Sequence, residues 1–208
     1  GIGDGYKNYE DWLNSLIAKG ANFDEIYKEC VIPSPCWMVF KTDFDKCGGF
    51  TPNTYPEDYD LAFRFFKYGL KCITIDEVLH LWRDYPVRTS RIDVNYAENS
   101  FLELKVNYFL ELSYQKERKL IIWGAGTKGK KIAQLLIDKK VSFYWICDNP
   151  KKIGKVIYGQ TLKPVNYLSS VENPQCIISV ANREAQLEIK QFLKSFEMSA
   201  LNDYFFFC

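Results

Sequence analysis

The sequence predicts an α/β protein in two parts, the second of which is built around a parallel sheet. Three observations lead to this prediction. The chain has 208 residues, enough for two small domains. Strand and helix patterns alternate through its second half, and a glycine-rich turn joins the first strand of that half to its first helix. We expect one domain over 1–100, a helical linker over 101–117 and a second domain over 118–208.

The composition excludes several classes of protein. With 27 basic and 26 acidic residues, the formal net charge is +1, so no general attraction to nucleic acid is expected. The 7 cysteines show no metal-like spacing and several lie in apolar runs, as in the core of a reduced cytoplasmic protein. No apolar run approaches the roughly 18 residues of a membrane span, and no leader pattern is present. Any membrane contact would be peripheral.

The first domain is predicted to mix helices and strands. Apolar spacing from Tyr9 to Ile17 indicates a helix, and Thr42 with Asp45 resembles a capping box for one short helical turn. A further helix starts at Pro56 and ends at Gly69. Apolar runs at 31–41, 71–75 and 78–82 are typical of strands.

The acidic start of the Pro56 helix allows two interpretations. Carboxylates in the first turn of a helix are stabilised by the helix dipole, which alone would explain Glu57 and Asp58. Asp60 and Arg64 are spaced as an i,i+4 ion pair, which we expect on the exposed face. The other interpretation is catalytic, with one carboxylate removing a proton from a hydroxyl.

Arginines that follow the next predicted strands favour the catalytic interpretation. The stretch "HLWRDYPVRTSR" would bring guanidinium groups toward the carboxylates, where they could hold a diphosphate or a charged acceptor by paired hydrogen bonds. These arginines are Arg83, Arg88 and Arg91.

The second domain is predicted from alternating strands and helices that begin at "KLIIW". Gly124, Gly126 and Gly129 have the GxGxxG spacing, and Asp148 ends the next strand, as in a Rossmann-like nucleotide-binding turn. The amide groups of the following helix could bind a phosphate, and the acid could hold ribose hydroxyls. Alternatively, the glycines serve only the turn from strand to helix. No residues typical of an oxidoreductase follow, so hydride transfer is not expected.

Several motifs together resemble a known family. "CGGF", then "PEDYDLAFR", a strand and "LWRDYPVRTSR" resemble the second half of the catalytic domain of family 2 glycosyltransferases. "YxxWLN" at 9–14 and the final stretch from 180 resemble a bacterial branch that carries an appended Rossmann-like domain. The resemblance therefore implies the C-terminal half of a glycosyltransferase A-type domain, followed by a small Rossmann-like domain.

The resemblance also implies an activity and its residues. The reaction would be the inverting transfer of a sugar from a nucleotide sugar to a hydroxyl of a glycan or lipid-linked acceptor, in bacterial polysaccharide biosynthesis. Asp58 would be the base and Glu57 would shape the acceptor site. The implied substrate-binding residues are Trp82, Arg83, Arg88 and Arg91.

The chain departs from this family in its metal site. The family's first half carries an Asp-x-Asp motif for magnesium or manganese, and this chain is expected to begin after it. "DFD" at 43–45 and "DYD" at 58–60 match only as text, because neither ends a buried strand in the right order. Ser34 stands where relatives tend to have a histidine. His80 is one residue out of step with the family's His-Trp-Arg, and a shift of one residue on a strand reverses the face, so for His80 a structural role in a strand is favoured over a role as metal ligand.

Three functions follow as hypotheses. The first is part of a glycosyltransferase, inactive on its own because the donor-binding half is missing. The second is a binding module whose C-terminal domain takes a nucleotide or docks onto a partner enzyme. The third is a structural appendage in which neither site is used.

Overall fold

The computed structural model describes residues 4–81, 83, 85, 87–88, 92–96 and 101–208. The chain divides into two compact units, Gly1–Phe101 and Leu102–Cys208. Among the described residues no helix is both long and apolar enough to cross a membrane. All 7 cysteines are free thiols, and those at 30, 47, 147 and 176 are buried.

The described part of the first unit is helical. It contains α1 (Asp4–Lys19), α2 (Lys41–Lys46) and α3 (Glu57–Lys67), with short 3-10 helices at Asn22–Glu25, Ser34–Cys36 and Val94–Tyr96. The three predicted helices are thus confirmed. The capping prediction for α2 was wrong, because the N-cap is Phe40 and no side chain caps the helix.

The three strands predicted for this unit do not form in its described residues. A strand needs a hydrogen-bonded neighbour, and none of these apolar segments has one in the described part of the unit. Val31 is buried, but each segment also has side chains that face solvent, as shown by Met38, Ile73 and Leu81, which are 95%, 93% and 88% exposed. The apolar runs predicted strands, but the residues that the structure describes in this unit supply no partner strand for them.

Helix α3 is the central element of the first unit. The helix is buried on two sides, with Tyr59 and Phe63 on one side and Leu61 on the other, and the Tyr59 hydroxyl donates to the Ile26 carbonyl at 2.6 Å. The helix ends at Lys67, and Gly69, the residue after its C-cap Tyr68, has φ +73°, a conformation suited to glycine. The amides of Gly69 and Leu70 donate to the carbonyls of Phe66 and Phe65, the bonding pattern of a Schellman motif.

The Asp60–Arg64 pair forms as predicted but is buried, so its predicted exposed position was wrong. The guanidinium contacts the Asp60 carboxylate at 2.6 Å, and the two side chains are only 9% and 14% exposed. Arg64 also donates to the carbonyls of Cys47 and Gly49, at 2.5 Å each. Sequence spacing identified the pair but not the glycine turn that covers it.

The second unit is an α/β structure with a six-stranded, mostly parallel sheet in the order β3-β4-β2-β1-β5-β6, consistent with a Rossmann-like fold. Its helices are α4 (Leu102–Leu112), α5 (Thr127–Asp138) and α6 (Arg183–Lys194), with a 3-10 helix at Val165–Ser170. Its strands are β1 (Lys119–Trp123), β2 (Tyr144–Cys147), β3 (Val156–Ile157), β4 (Gln160–Pro164), β5 (Pro174–Ile178) and β6 (Tyr204–Phe206).

Strand β1 is central and pairs in parallel with β2 and β5. Its buried residues Ile121 and Trp123 join one core cluster with Ile178 and Ile189. All strands predicted for this half are confirmed. The β3–β4 hairpin was missed, although Tyr158 and Gly159, both at positive φ, are a two-residue turn of the hairpin type.

The segment predicted as a helical linker contains α4, which belongs to the second unit. Phe109 is buried in it and packs edge-to-face on Phe205 and Phe207, with ring centroids 4.9 and 6.0 Å away. An apolar face packed in this way makes α4 part of the domain core rather than a spacer.

Arg118 ties three parts of the second unit together. Its side chain is 5% exposed and donates to Asp203 at 2.7 Å. It also donates to the carbonyls of Pro174 at 2.5 Å and Asn202 at 2.9 Å. Pro174 is the first residue of β5, and Asn202 lies in the connection that leads from β5 to β6. Burial raises the pKa of Asp203, but the Ser199 amide and Arg118 outweigh this effect and lower that pKa overall.

We predict that Asp203→Asn destabilises the chain in a pH-dependent way. Because the folded-state pKa of Asp203 lies below its ordinary value, the carboxylate stabilises the fold above about pH 4 and loses this effect as the pH falls through the lower folded value. Urea unfolding of wild type and variant should therefore differ at neutral pH and converge as the pH falls through the folded-state pKa of Asp203. Asp138→Asn, at an exposed position, is the control. A difference that does not change with pH would contradict the prediction.

Candidate functional site

The first candidate site is the start of α3, where the structure places Glu57 and Asp58 in the first helical turn. The N-cap is Pro56, which makes no side-chain capping hydrogen bond. Both carboxylates are half-buried. A purely capping role therefore does not describe their surroundings.

Asp58 is held by the backbone of the segment before α2. Its Oδ2 accepts the amide of Ser34 at 3.1 Å, across 24 residues of sequence. Burial raises the pKa of Asp58 above its ordinary value, and the charge of Glu57 adds to this effect. The Ser34 amide and the amides of Asp58 and Tyr59 act in the opposite direction but do not outweigh burial. A carboxylate with a raised pKa is a better proton acceptor than a solvated one.

Glu57 is held by a residue that the sequence analysis did not identify. The Tyr96 hydroxyl donates to Glu57 Oε2 at 2.8 Å. Burial raises the pKa of Tyr96, and the neighbouring carboxylates of Glu57 and Asp58 raise it further. Tyr96 therefore stays protonated as a donor. No local pattern in the sequence joins positions 39 residues apart, so only the fold could reveal this contact.

Two residues of the "YxxWLN" motif bind the segment that precedes Ser34. The Tyr9 hydroxyl donates to the Cys30 carbonyl at 2.8 Å, and Trp12 Nε1 donates to Glu25 Oε2 at 2.6 Å. Lys28 pairs with the same Glu25 carboxylate at 3.2 Å. Helix α1 thus fixes the chain that leads to the Ser34 amide.

The predicted substrate-binding residues are only partly described. Trp82 and Arg91 lie outside the described residues. Arg83 is exposed, and the guanidinium of Arg88 lies 5.8 Å from the centroid of the Tyr6 ring. The structure thus brings Glu57 and Asp58 together with Ser34 and Tyr96, and it places Arg88 beside α1.

The acidic motifs do not form a metal site in the described part of the chain, where no group of three potential ligands occurs. In 43–45, Asp45 pairs with Lys41, and in 58–60, Asp60 pairs with Arg64. His80 is exposed. The described residues do not fit the magnesium or manganese expected for a complete glycosyltransferase.

The second candidate site is the glycine turn between β1 and α5. Gly124 has φ +112°, and a Cβ at Gly129 would lie 2.1 Å from the Gly124 carbonyl oxygen. These two glycines are required by the turn and by the close packing of α5 on it. Gly126 is different. It is the N-cap of α5 with φ −81° and ψ −169°, and a Cβ there would meet nothing within 4 Å.

Side chains from three neighbouring segments fix the glycine turn. Trp145 Nε1 donates to the Gly124 carbonyl at 2.8 Å, and the Ser179 hydroxyl lies 3.2 Å from the same oxygen. Lys152 Nζ donates to the Ala125 carbonyl at 2.8 Å. Asp148 follows β2 directly and is exposed. Trp145 lies within β2, whereas Asp148 and Lys152 follow the carboxyl end of β2 and Ser179 follows that of β5, the edge where open α/β sheets bind ligands.

Comparison with known proteins does not assign a family or a function to this chain. No family model matches the chain, and no curated protein matches it. A solved structure, the crystal structure of RSP, a Rex-family repressor, matches with 18% identity and a TM-score of 0.34. The match covers 50% of this chain and 58% of that one, so the chain spans well under two thirds of the repressor's length. A similarity of this size supports no conclusion about function.

The sequence could have indicated Lys152, because "DNPKKIG" places two lysines three and four residues after the acid that follows β2. The Ser34 amide could not be identified in this way. It is a backbone group, and its role depends only on where α1 and α3 hold the chain.

We predict that Gly129→Ala destabilises the second unit by about 3 kcal/mol or more, because its methyl group would overlap a backbone carbonyl that cannot move easily. Gly126→Ala is the matched control and should cost less than about 1 kcal/mol, since its methyl group enters open space. Urea unfolding of both variants measures the difference. Equal losses would show that the turn does not have this geometry.

Proposed function

We propose that this chain is the acceptor-side part of a bacterial, nucleotide-sugar-dependent glycosyltransferase with Asp58 as its catalytic base. Two lines support the proposal: the resemblance of "CGGF", "PEDYDLAFR" and "LWRDYPVRTSR" to family 2 glycosyltransferases, and the surroundings of Asp58. The observation that carries it is the half-buried Asp58, fixed by the Ser34 amide and with a raised pKa.

The proposed chemistry is a single displacement. Asp58 removes the proton of an acceptor hydroxyl while the oxygen attacks the anomeric carbon of the donor sugar from the face opposite the nucleotide. The new glycosidic bond forms as the bond to the diphosphate breaks, and the nucleoside diphosphate leaves with the electron pair. The configuration at the anomeric carbon is inverted, and the proton remains on Asp58 until solvent removes it.

The other residues have supporting roles in this proposal. Glu57 shapes the acceptor site, and Trp82, Arg83, Arg88 and Arg91 bind charged or planar parts of the substrates. The exposed apolar segments that include Ile73 and Leu81 are consistent with a sheet contributed by residues beyond this sequence. The same proposal places the donor site, with any metal, in that other part.

The test is sugar transfer by the gene product that contains this sequence. Asp58→Asn should lower kcat by about 10²- to 10⁴-fold, because general-base catalysis is worth that much. Asp45→Asn is the control, since Asp45 is an exposed carboxylate paired with Lys41 and has no proposed role. Full activity of Asp58→Asn would contradict the proposal. So would sugar transfer by the 208-residue chain alone with donor and manganese.

A second candidate function is nucleotide binding by the second unit. The observation that favours it is Gly126, because neither backbone conformation nor packing requires a glycine there. The open space at its α-carbon lies at the N-terminus of α5, where amide groups would favour a phosphate. In this function the chain would sense a nucleotide or dock onto a partner enzyme.

Thermal unfolding with nucleotide sugars, nucleoside diphosphates, NAD and NADP tests the second candidate. A ligand at 100 times its Kd stabilises the native state by roughly 2.7 kcal/mol, so Tm should rise by several degrees. Gly126→Leu should abolish this rise, whereas Gly5→Leu, also at an open position, should keep it. If no nucleotide raises Tm, the glycines serve only the turn.

A further inference from the structure

An exposed aromatic ring lies beside the two carboxylates of the first candidate site. Tyr55 is 44% exposed, although it immediately precedes the buried Pro56 at the start of α3. An exposed tyrosine ring offers a flat apolar face to a ligand while its hydroxyl stays in water. The proposed chemistry at Asp58 does not use this ring.

Tyr96 joins this ring to Glu57. Its ring packs edge-to-face on Tyr55, with centroids 6.2 Å apart, while its hydroxyl donates to Glu57 Oε2 at 2.8 Å. Tyr96 also packs edge-to-face against Phe101, whose ring centroid lies 6.0 Å from that of Tyr96. One side chain therefore contacts both an aromatic ring and a carboxylate at the start of α3.

We propose that Tyr55 and Glu57 form a subsite for a pyranose ring of the acceptor, with Tyr96 as the positioning residue. The inference rests on the proposed function and specifies its substrate as a saccharide. Tyr96 contacts no substrate in this arrangement. It acts by holding the ring of Tyr55 and the carboxylate of Glu57 in place.

The chemistry of a sugar matches this pair of groups. A pyranose has a face of C–H groups that packs on an aromatic ring, and hydroxyls at its rim that donate to carboxylate oxygens. Glu57 Oε1 and the remaining acceptor capacity of Oε2 are suited to such hydroxyls. Asp58 follows in the same helical turn, and its charge acts on Tyr96. A hydroxyl of the bound sugar could therefore reach the base.

The test is saturation-transfer NMR on the 208-residue chain with methyl glycosides of glucose, galactose, mannose and N-acetylglucosamine, and with uridine as a nucleoside probe. At least one glycoside should bind. Tyr55→Leu should remove the signal, and Tyr68→Leu is the matched control because Tyr68 is 45% exposed elsewhere on the unit. Tyr96→Phe keeps the ring but lacks the donor, so it should weaken binding by about five- to tenfold.

The outcomes separate this inference from the proposed function. Binding that survives in Asp58→Asn but is lost in Tyr55→Leu supports the subsite whether or not Asp58 is the base. No binding of any glycoside, equal binding by Tyr55→Leu and wild type, or Tyr55-dependent binding of uridine alone would overturn the inference. Unchanged affinity in Tyr96→Phe would overturn the positioning role. Loss of transfer in the complete enzyme on Asp58→Asn tests the base separately.

Discussion

The buried ion pair between Asp60 and Arg64 is the constraint on which the first candidate site depends. The guanidinium is only 14% exposed and also donates to the carbonyls of Cys47 and Gly49. Removing one partner of such a pair leaves a buried charge without compensation, which typically costs about 3 to 5 kcal/mol. Asp60 holds the guanidinium in place within α3, and Arg64 joins α3 to the turn after α2 through the two carbonyls. Together these contacts orient the first turn of α3, which carries Glu57 and Asp58.

Carboxylates at the start of a helix can serve as caps or as reactive groups, and the two roles have opposite electrostatic signatures. A carboxylate stabilised by the helix dipole and by amide groups has a lowered pKa. A carboxylate taken out of water beside another negative charge has a raised pKa, as the structure indicates for Asp58. The sequence "PEDYD" fits both roles. The distinction arises from the Ser34 segment and from Tyr96, which cover the turn and come from distant parts of the chain.

How much the sequence could predict differed between the two units. The strands and helices of the second unit were predictable because each carries its own pattern and its parallel partners are supplied within the same unit. The first unit's strands were not, because Ile73 and its neighbours have the composition of a strand but no described pairing partner. Spacing identified the Asp60–Arg64 pair, while its burial and the Tyr96–Glu57 contact depend on packing between distant segments.

The most direct test of Asp58 as a base is an NMR titration of its side-chain carboxyl carbon in the 208-residue chain, with Asp58→Asn used to assign its signal. We expect a pKa above the ordinary 3.8, because burial and the Glu57 charge outweigh the amide hydrogen bonds. Glu57→Gln should lower that pKa, since it removes the neighbouring charge. An Asp58 pKa below 3.8 in the wild type would show that the carboxylate is a helix cap, and would contradict its assignment as a base.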